Sequence, residues 1–274
     1  MAVIAMAREM ATRGSEVATG VANRFGLEII HHEVVEHDIA DRAHLPESEV
    51  HKFLEGEASL WERWKIDPER MSRYTALEIL ELAARGNVVI RGWGATSLLG
   101  SIPHVVTVRT CAPMPYRVQV LKSRVGIESE DEARREIQRS DACHAGVVHR
   151  LFGADWMDAS QYAITLNTAR VPVKQCVEQI VQLASSSEFQ ETELSRSMLR
   201  DALLLARAND KLDQEFGRHS RRHDLEISVE RGHVTLHGAA TDSDLIVRGV
   251  RAMQSVEGVE SVKSEATVVE FVPH

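Results

Sequence analysis

Short, mostly apolar runs separated by longer amphipathic ones constrain this chain most. Val3–Ala7, Glu28–Ile30, Asn87–Arg91, Val105–Arg109 and Tyr162–Leu166 are each three to five residues long. A strand with no polar face must be covered on both sides. Between them lie helical segments over Ser15–Phe25, Glu33–Arg42, Ser48–Leu54, Pro68–Arg85, Pro115–Val125, Asp131–Leu151 and Val173–Ala184. Val17, Val21 and Phe25 repeat every four residues, as one face of a helix requires. Pro68 suits a first helical turn and Gly86 a helix end. Strands alternating with helices predict an α/β, three-layer domain around a parallel sheet. Such sheets bind ligands beyond the carboxyl ends of their strands, so the loops after Ala7 and Arg91 are the places to look.

The pattern changes near residue 185. The stretch Ala184-Ser185-Ser186-Ser187-Glu188-Phe189-Gln190-Glu191-Thr192-Glu193 is polar and aperiodic. It reads as a linker over 188–196, between a domain at 1–187 and a smaller one at 197–272. The smaller part reads helix (Met198–Gln214), strand (Leu225–Val229), strand (Val234–Leu236), helix (Asp242–Ser255), strand (Val259–Phe271). Glu230-Arg231-Gly232-His233 gives a hairpin turn between the first two strands. This is an α+β unit.

Composition narrows the function classes. With 43% apolar residues the chain can bury a core, and a net charge of -9 disfavours nucleic-acid binding through bulk charge. Cys111, Cys143 and Cys176 form no C-x-x-C pair and are odd in number, which argues against a disulfide framework and fits a reducing cytoplasm. No apolar run reaches the roughly 20 residues of a membrane span. The histidines at 31, 32, 37, 44 and 51 crowd one region without metal-site spacing, so no metal site is expected there. Trp61 and Trp64 share a helical face and read as packing or interface residues, Glu128–Glu136 as a charged helix face, and Arg218–His223 as a basic loop with an anion or headgroup contact as the alternative. Cys143 has only His144 beside it and is a poor nucleophile candidate.

The first loop, Arg8-Glu9-Met10-Ala11-Thr12-Arg13-Gly14-Ser15-Glu16, joins a strand to a helix. That arrangement points backbone N–H groups and the helix dipole at an anion. It has one glycine and no lysine, so it departs from G-x-x-x-x-G-K-[ST], and an ordinary loop with Ser15 as N-cap remains open.

A series of motifs adds to this reading. Ile4, Arg8, Gly14, Glu16, Val17 and Ala18 fall in register with I-S-R-x-x-G-S-G-G-R-E-I-A. Phe25-Gly26-Leu27 with Glu33-Val34-Val35, Val88–Ala95, Val106–Pro113 with Arg117, Asp141, and Asp155-Trp156-Met157-Asp158 with Tyr162 and Asn167-Thr168 follow in order. Over residues 3–185 the chain resembles the cytidylate-kinase-like family of P-loop kinases. That resemblance implies phosphoryl transfer from ATP, with Mg²⁺, to a nucleoside monophosphate such as CMP. Donor phosphates would then lie at Arg13, Gly14, Ser15 and Glu16. Arg8, Arg91, Arg139 and Arg150 would clamp the transferred group, with Asp141 organising the lid or metal. Gly92, Trp93 and Arg117 would contact the acceptor. The departures bear on activity. Three loop-glycine positions are Ala11, Thr12 and Arg13, the arginine expected after Gly92 is Trp93, and Ala142–Arg150 keeps only Arg150 as a permanent charge. An inactive nucleotide- or anion-sensing protein is therefore the alternative, and a two-domain scaffold a third reading.

Val229–Gly238 and Val256–Val262 follow the G-x-V-x-L-x-G and V-x-G-V-x-x-V patterns of BON domains, a resemblance over about 197–270. It implies binding of a small ligand, lipid or protein. Docking on its neighbour or on another chain is the alternative. The oligomeric state stays open.

Overall fold

The computed structural model describes residues 2–30, 32–54, 67–92, 94–217 and 225–269. It divides into two compact units, Met1–Thr192 and Glu193–His274. Trp93, the Trp61/Trp64 pair and the Arg218–His223 run, all singled out in the sequence, lie outside the described residues.

The first unit is built on five parallel strands: β1 (Val3–Arg8), β2 (Glu28–Ile30), β3 (Val88–Arg91), β4 (Val105–Cys111) and β5 (Ile164–Asn167), in the order β2-β3-β1-β4-β5. The first strand is central, paired on both edges, and its residues 3–7 are buried. This is the covered sheet that the apolar runs require.

Helices cover both faces. They are α1 (Gly14–Phe25), α2 (His32–Ala43), α3 (Glu47–Leu54), α4 (Pro68–Arg85), α5 (Ala95–Leu99), α6 (Met114–Val125), α7 (Glu130–Phe152) and α8 (Val173–Ala184). On one face Ile4 and Met6 pack with Val17, Ala18 and Val21 of α1 and with Cys176 and Ile180 of α8. On the other, Ala7 packs with Val148, Trp156 and Tyr162. Local chemistry sets the ends. The Asp67 carboxylate accepts from Glu69 N ahead of Pro68, and Ser129 accepts from Glu132 N at the start of α7. The five residues of α5 are too few to show a helical period in sequence, and that segment was read as loop.

The second unit contains α9 (Glu193–Phe216), β6 (Leu225–Glu230), β7 (His233–Ala240), α10 (Ser243–Gln254), β8 (Ser261–Ser264) and β9 (Thr267–Val268). Its core gathers Leu204, Ala208, Leu212 and Phe216 with Val234, Ala252, Met253 and Val256. Two differences from the sequence reading stand out. The expected linker ends early, because α9 begins at Glu193, with Ser195 buried in its first turn. The single strand expected from Val259 is two short ones, both parallel to β7. The break falls opposite Gly238, whose φ of 100° turns the partner strand out of the ladder.

The hairpin turn is as expected. Arg231 and Gly232 have φ of 50° and 80°, the two left-handed positions of a type I′ turn. The Asp201 carboxylate accepts from both of their amides, at 2.7 and 2.9 Å.

Candidate active site

The carboxyl ends of β1 and β3 form the site. Arg8 and Arg91 are the last residues of these two strands, and Met6 is in register with Arg91, so both arginines stand at the same end of the sheet. Arg8 and Arg91 line a recess with Gly92, Thr96, His144 and Trp156. Gly92 has φ of 85° and open space where a Cβ would stand, which leaves its backbone accessible to a ligand.

Beside the recess, the loop from Glu9 to Arg13 carries β1 into α1. Two of its residues take left-handed conformations, Ala11 at φ 60° and Arg13 at φ 57°. Each costs on the order of 1–2 kcal/mol for a residue with a Cβ. The three side chains at the expected glycine positions are nevertheless housed. Ala11 is buried against Val118, Leu121, Ala133 and Ile137. The Thr12 hydroxyl donates to Glu9 O at 2.8 Å and meets the Thr110 hydroxyl at 3.1 Å. Arg13 forks onto Glu16, with Nε 2.7 Å from Oε1. This pair keeps Arg13 protonated and holds Glu16 below the usual carboxylate range. The turn at Met10–Ala11 brings the Thr12 amide back toward the Glu9 carbonyl, and the amides of Gly14 and Ser15 stand in the first turn of α1, which has no intrahelical acceptors for them. The loop is therefore a cradle that ends in amide donors at a helix N-terminus, the arrangement that suits phosphate oxygens.

Gly14 closes the cradle. A Cβ there would lie 2.5 Å from Thr110 Oγ1 and 2.9 Å from Arg8 Cβ, so only glycine lets α1 start this close to β1 and β4.

A buried charge network supports the loop from beneath. Glu9 Oε1 accepts from Arg109 Nη2 at 2.6 Å, and Oε2 accepts from Ala112 N at 3.2 Å and faces Arg117 Nη1 at 3.3 Å. Arg117 Nη2 pairs with Asp141, and its Nε donates to Met10 O at 2.7 Å. Asp141 Oδ1 in turn accepts from Met10 N at 3.0 Å. Arg109 lies over the rings of Trp156 and Tyr162, 5.8 and 6.0 Å from their centroids. Burial pushes the Tyr162 phenol up, and its hydroxyl donates to Trp156 O.

The residues expected from the sequence thus sort by place. Arg8, Arg91 and Gly92 meet in the recess, and Arg13, Gly14, Ser15 and Glu16 form the loop and first turn. Arg117 and Asp141 join each other and the Met10 backbone, binding α6 and α7 to the loop. Arg139 and Arg150 lie on exposed positions of α7 and do not line the recess; Arg150 lies over Phe53 at 5.8 Å. Sequence reasoning passed over Glu9 and Arg109 as members of the site. A charged residue at the end of the apolar run Val105–Arg109 was the available signal.

The donor set can be tested against the groups that the resemblance implies. Helix-start amides and nearby arginines fit nucleotide phosphates. Carboxylates near the loop are already paired, Glu9 with Arg109 and Arg117, Asp141 with Arg117, Glu16 with Arg13. Mg²⁺ would therefore be carried by the nucleotide's own phosphates and by water. Among the described residues no three His, Cys, Asp or Glu side chains group as metal ligands, and no helix is long and apolar enough to cross a membrane.

In the second unit, a groove of about 900 Å³ runs between the first half of α9, the β6–β7 turn and the turn before β8. Leu203 and Leu204 line it, with Arg200, Arg207, Arg231 and His233 around them.

Comparisons with known proteins agree with this division. A solved structure of an uncharacterized protein from Eubacterium ventriosum superposes with a TM-score of 0.52 at 18% identity, covering 67% of this chain and 97% of its own. A gluconokinase from Sinorhizobium meliloti gives a TM-score of 0.43 at 15% identity, covering 67% and 91%. A shikimate kinase from Bacteroides thetaiotaomicron gives 0.39 at 16%, covering 66% and 95%. No curated protein matches the chain. The model of the BON domain matches residues 200–270. Residues 3–170, which hold the whole cradle and recess, match the model of the cytidylate kinase-like family, and the chain belongs to that family.

Proposed function

We propose that the first unit is a phosphotransferase that moves a phosphoryl group from Mg-ATP to a nucleoside monophosphate of the CMP type. The observation that carries this reading is the cradle itself. Ala11 and Arg13 keep left-handed backbone conformations, and the loop delivers the N-terminus of α1 beside Arg8, which lines a recess with Arg91. A donor and an acceptor phosphate have adjoining places at one edge of the sheet.

ATP supplies the transferred group, and the chain supplies position and charge. The amides of Gly14 and Ser15 at the N-terminus of α1 hold the donor phosphates. Arg8 and Arg91 hold the acceptor's phosphate, since a guanidinium fork matches its oxygens. Gly92 admits the acceptor close to the backbone. The Arg117–Asp141–Met10 link fixes α7 against the loop, so cradle and recess keep their spacing. In the second unit the groove along α9 is the binding surface for a small ligand, lipid or protein.

A second reading has its own observation. The one permanent cation in Ala142–Arg150 lies over Phe53, leaving that stretch of α7 with little charge to offer a transition state. On that reading the domain senses nucleotide without turning it over.

A thermal-shift series with ATP, ADP, CMP and dCMP, with and without Mg²⁺, followed by chromatography for ADP and CDP, separates these readings. Binding raises stability by about 2.7 kcal/mol at a hundredfold excess over Kd. The transferase reading expects a Mg-ATP shift enlarged by CMP, and product. It also expects Arg91→Ala to lower turnover by about a hundredfold or more at an unchanged melting temperature. A shift without product favours the sensor. No shift at millimolar nucleotide removes both.

A further inference from the structure

Among the described residues Met157 is the one exposed methionine, 54% open to solvent; Met10, Met114 and Met198 are half-buried, and Met6, Met71 and Met253 are buried. Met157 is nevertheless fastened at three atoms. Its amide donates to Asp155 Oδ1 at 2.8 Å, and its carbonyl oxygen accepts from Arg109 Nη1 at 3.3 Å. Its thioether sulfur accepts from Arg109 Nη2 at 3.1 Å. The same Nη2 donates to Glu9 Oε1, so the sulfur stands at the end of the buried charge network beneath the loop.

A thioether is a weak acceptor for a guanidinium. Arg109 is buried, and its Nε has no acceptor among the described residues. A buried donor without a full partner is costly. The network therefore ends on a cation that its surroundings satisfy poorly, and the side chain that caps it is one that solvent reaches.

Oxidation would change the acceptor. A sulfur lone pair attacks one oxygen of hydrogen peroxide, the S–O bond forms and the O–O bond breaks. The departing hydroxide takes the proton left on the transferred oxygen and leaves as water. The thioether is oxidised by two electrons to the sulfoxide, and the peroxide is reduced to water. The new S–O bond is polarised toward oxygen, which accepts more strongly than sulfur. Because the Met157 side chain is exposed, its sulfur has room to back away from Nη2 by the width of that oxygen.

We propose that Met157 is a site of reversible oxidation by hydrogen peroxide, and that its sulfoxide oxygen replaces the sulfur as the acceptor for Arg109 Nη2. The sign of the effect sets this site apart. Oxidation of a packed methionine puts a polar group into a core and destabilises it. At Met157 a weak contact to a buried cation becomes a charge-assisted hydrogen bond, and the network is strengthened.

The full chain is treated with hydrogen peroxide until its intact mass has risen by one oxygen, and peptide mass mapping reads the position. Met157 is expected to carry the oxygen ahead of Met10, Met114 and Met198. The oxidised chain is expected to melt about 2–4 °C higher, the step for one stronger hydrogen bond in a domain of this size. Met157→Leu, treated alike, is expected to show no rise. Met157→Gln carries a permanent amide oxygen and is expected to melt above Met157→Leu without peroxide. A methionine sulfoxide reductase with its thiol reductant is expected to return both mass and melting temperature to their starting values. Earlier oxidation of another described methionine overturns the proposal, as does a Met157 sulfoxide that leaves the melting temperature unchanged or lowers it. A rise that persists in Met157→Leu, a Met157→Gln that melts no higher than Met157→Leu, or a sulfoxide that the reductase does not remove overturns it equally.

Discussion

At the scale of single residues, Glu9 carries more of the site than any group that would touch a ligand. Its carboxylate is buried and engages two buried arginines, Arg109 and Arg117, and the Ala112 amide. Removing its charge leaves Arg117 paired with Asp141 and takes from Arg109 the carboxylate it pairs with. Glu9→Gln is expected to cost about 3–5 kcal/mol, read as a lower urea midpoint at an unchanged slope. A loss below 1 kcal/mol would mean that water reaches the cluster. The contrast with Arg8 and Arg91 explains what the sequence could show. Residues at strand ends are legible from pattern, because topology alone places them at the ligand edge. The Glu9–Arg109 contact spans a hundred residues, and no local pattern reports it. The substituted loop positions were misleading for a related reason. Their letters suggest a blocked cradle, whereas Ala11 packs into the α6–α7 cluster and Arg13 folds back on Glu16.

At the scale of elements, the seam between α2 and α4 concentrates charge. Asp38 and Asp41 face Glu78 and Glu81 across a groove, with Arg42 between them, 3.0 Å from Glu81 and 3.9 Å from Glu78. Burial and the neighbouring Asp38 push the Glu78 carboxyl up to about 7. The folded chain therefore holds a proton on Glu78 that the unfolded chain releases above about 4.5. The contribution of this group to stability falls as pH rises from about 4.5 to about 7 and is lost above that. Glu78→Gln is expected to raise the melting temperature at pH 8 and to change it little at pH 4. Equal effects at both values would show that the carboxyl does not titrate in that window. Elements with their own signals were legible. α4 runs from Pro68 to Arg85 as read, because Asp67, Pro68 and Gly86 mark both ends. The start of α9 is illegible because its first turn, Glu193–Arg196, exposes its one apolar residue, Leu194, and buries only Ser195.

At the scale of the whole molecule, each unit has its own core. Ile4, Val17 and Ile180 belong to one, and Leu212, Val234 and Met253 to the other. A fragment ending at Thr192 is expected to melt cooperatively and to keep the nucleotide shift of the full chain, measured by the same thermal series. Loss of the shift in a folded fragment would place part of the nucleotide site beyond residue 192.

The position of β1 at the centre of its sheet also bears on how the protein is made. Of the five strands of its sheet this one is made first, yet its partners begin at Val88 and Val105. Until those residues are synthesised, an apolar run of the new chain has no edge to join and is open to wrong pairing. The cradle, hung on the end of that strand, is assembled across long sequence separations, and such contacts form slowly. The strand made before its partners is thus among the last of the sheet to reach its final neighbours.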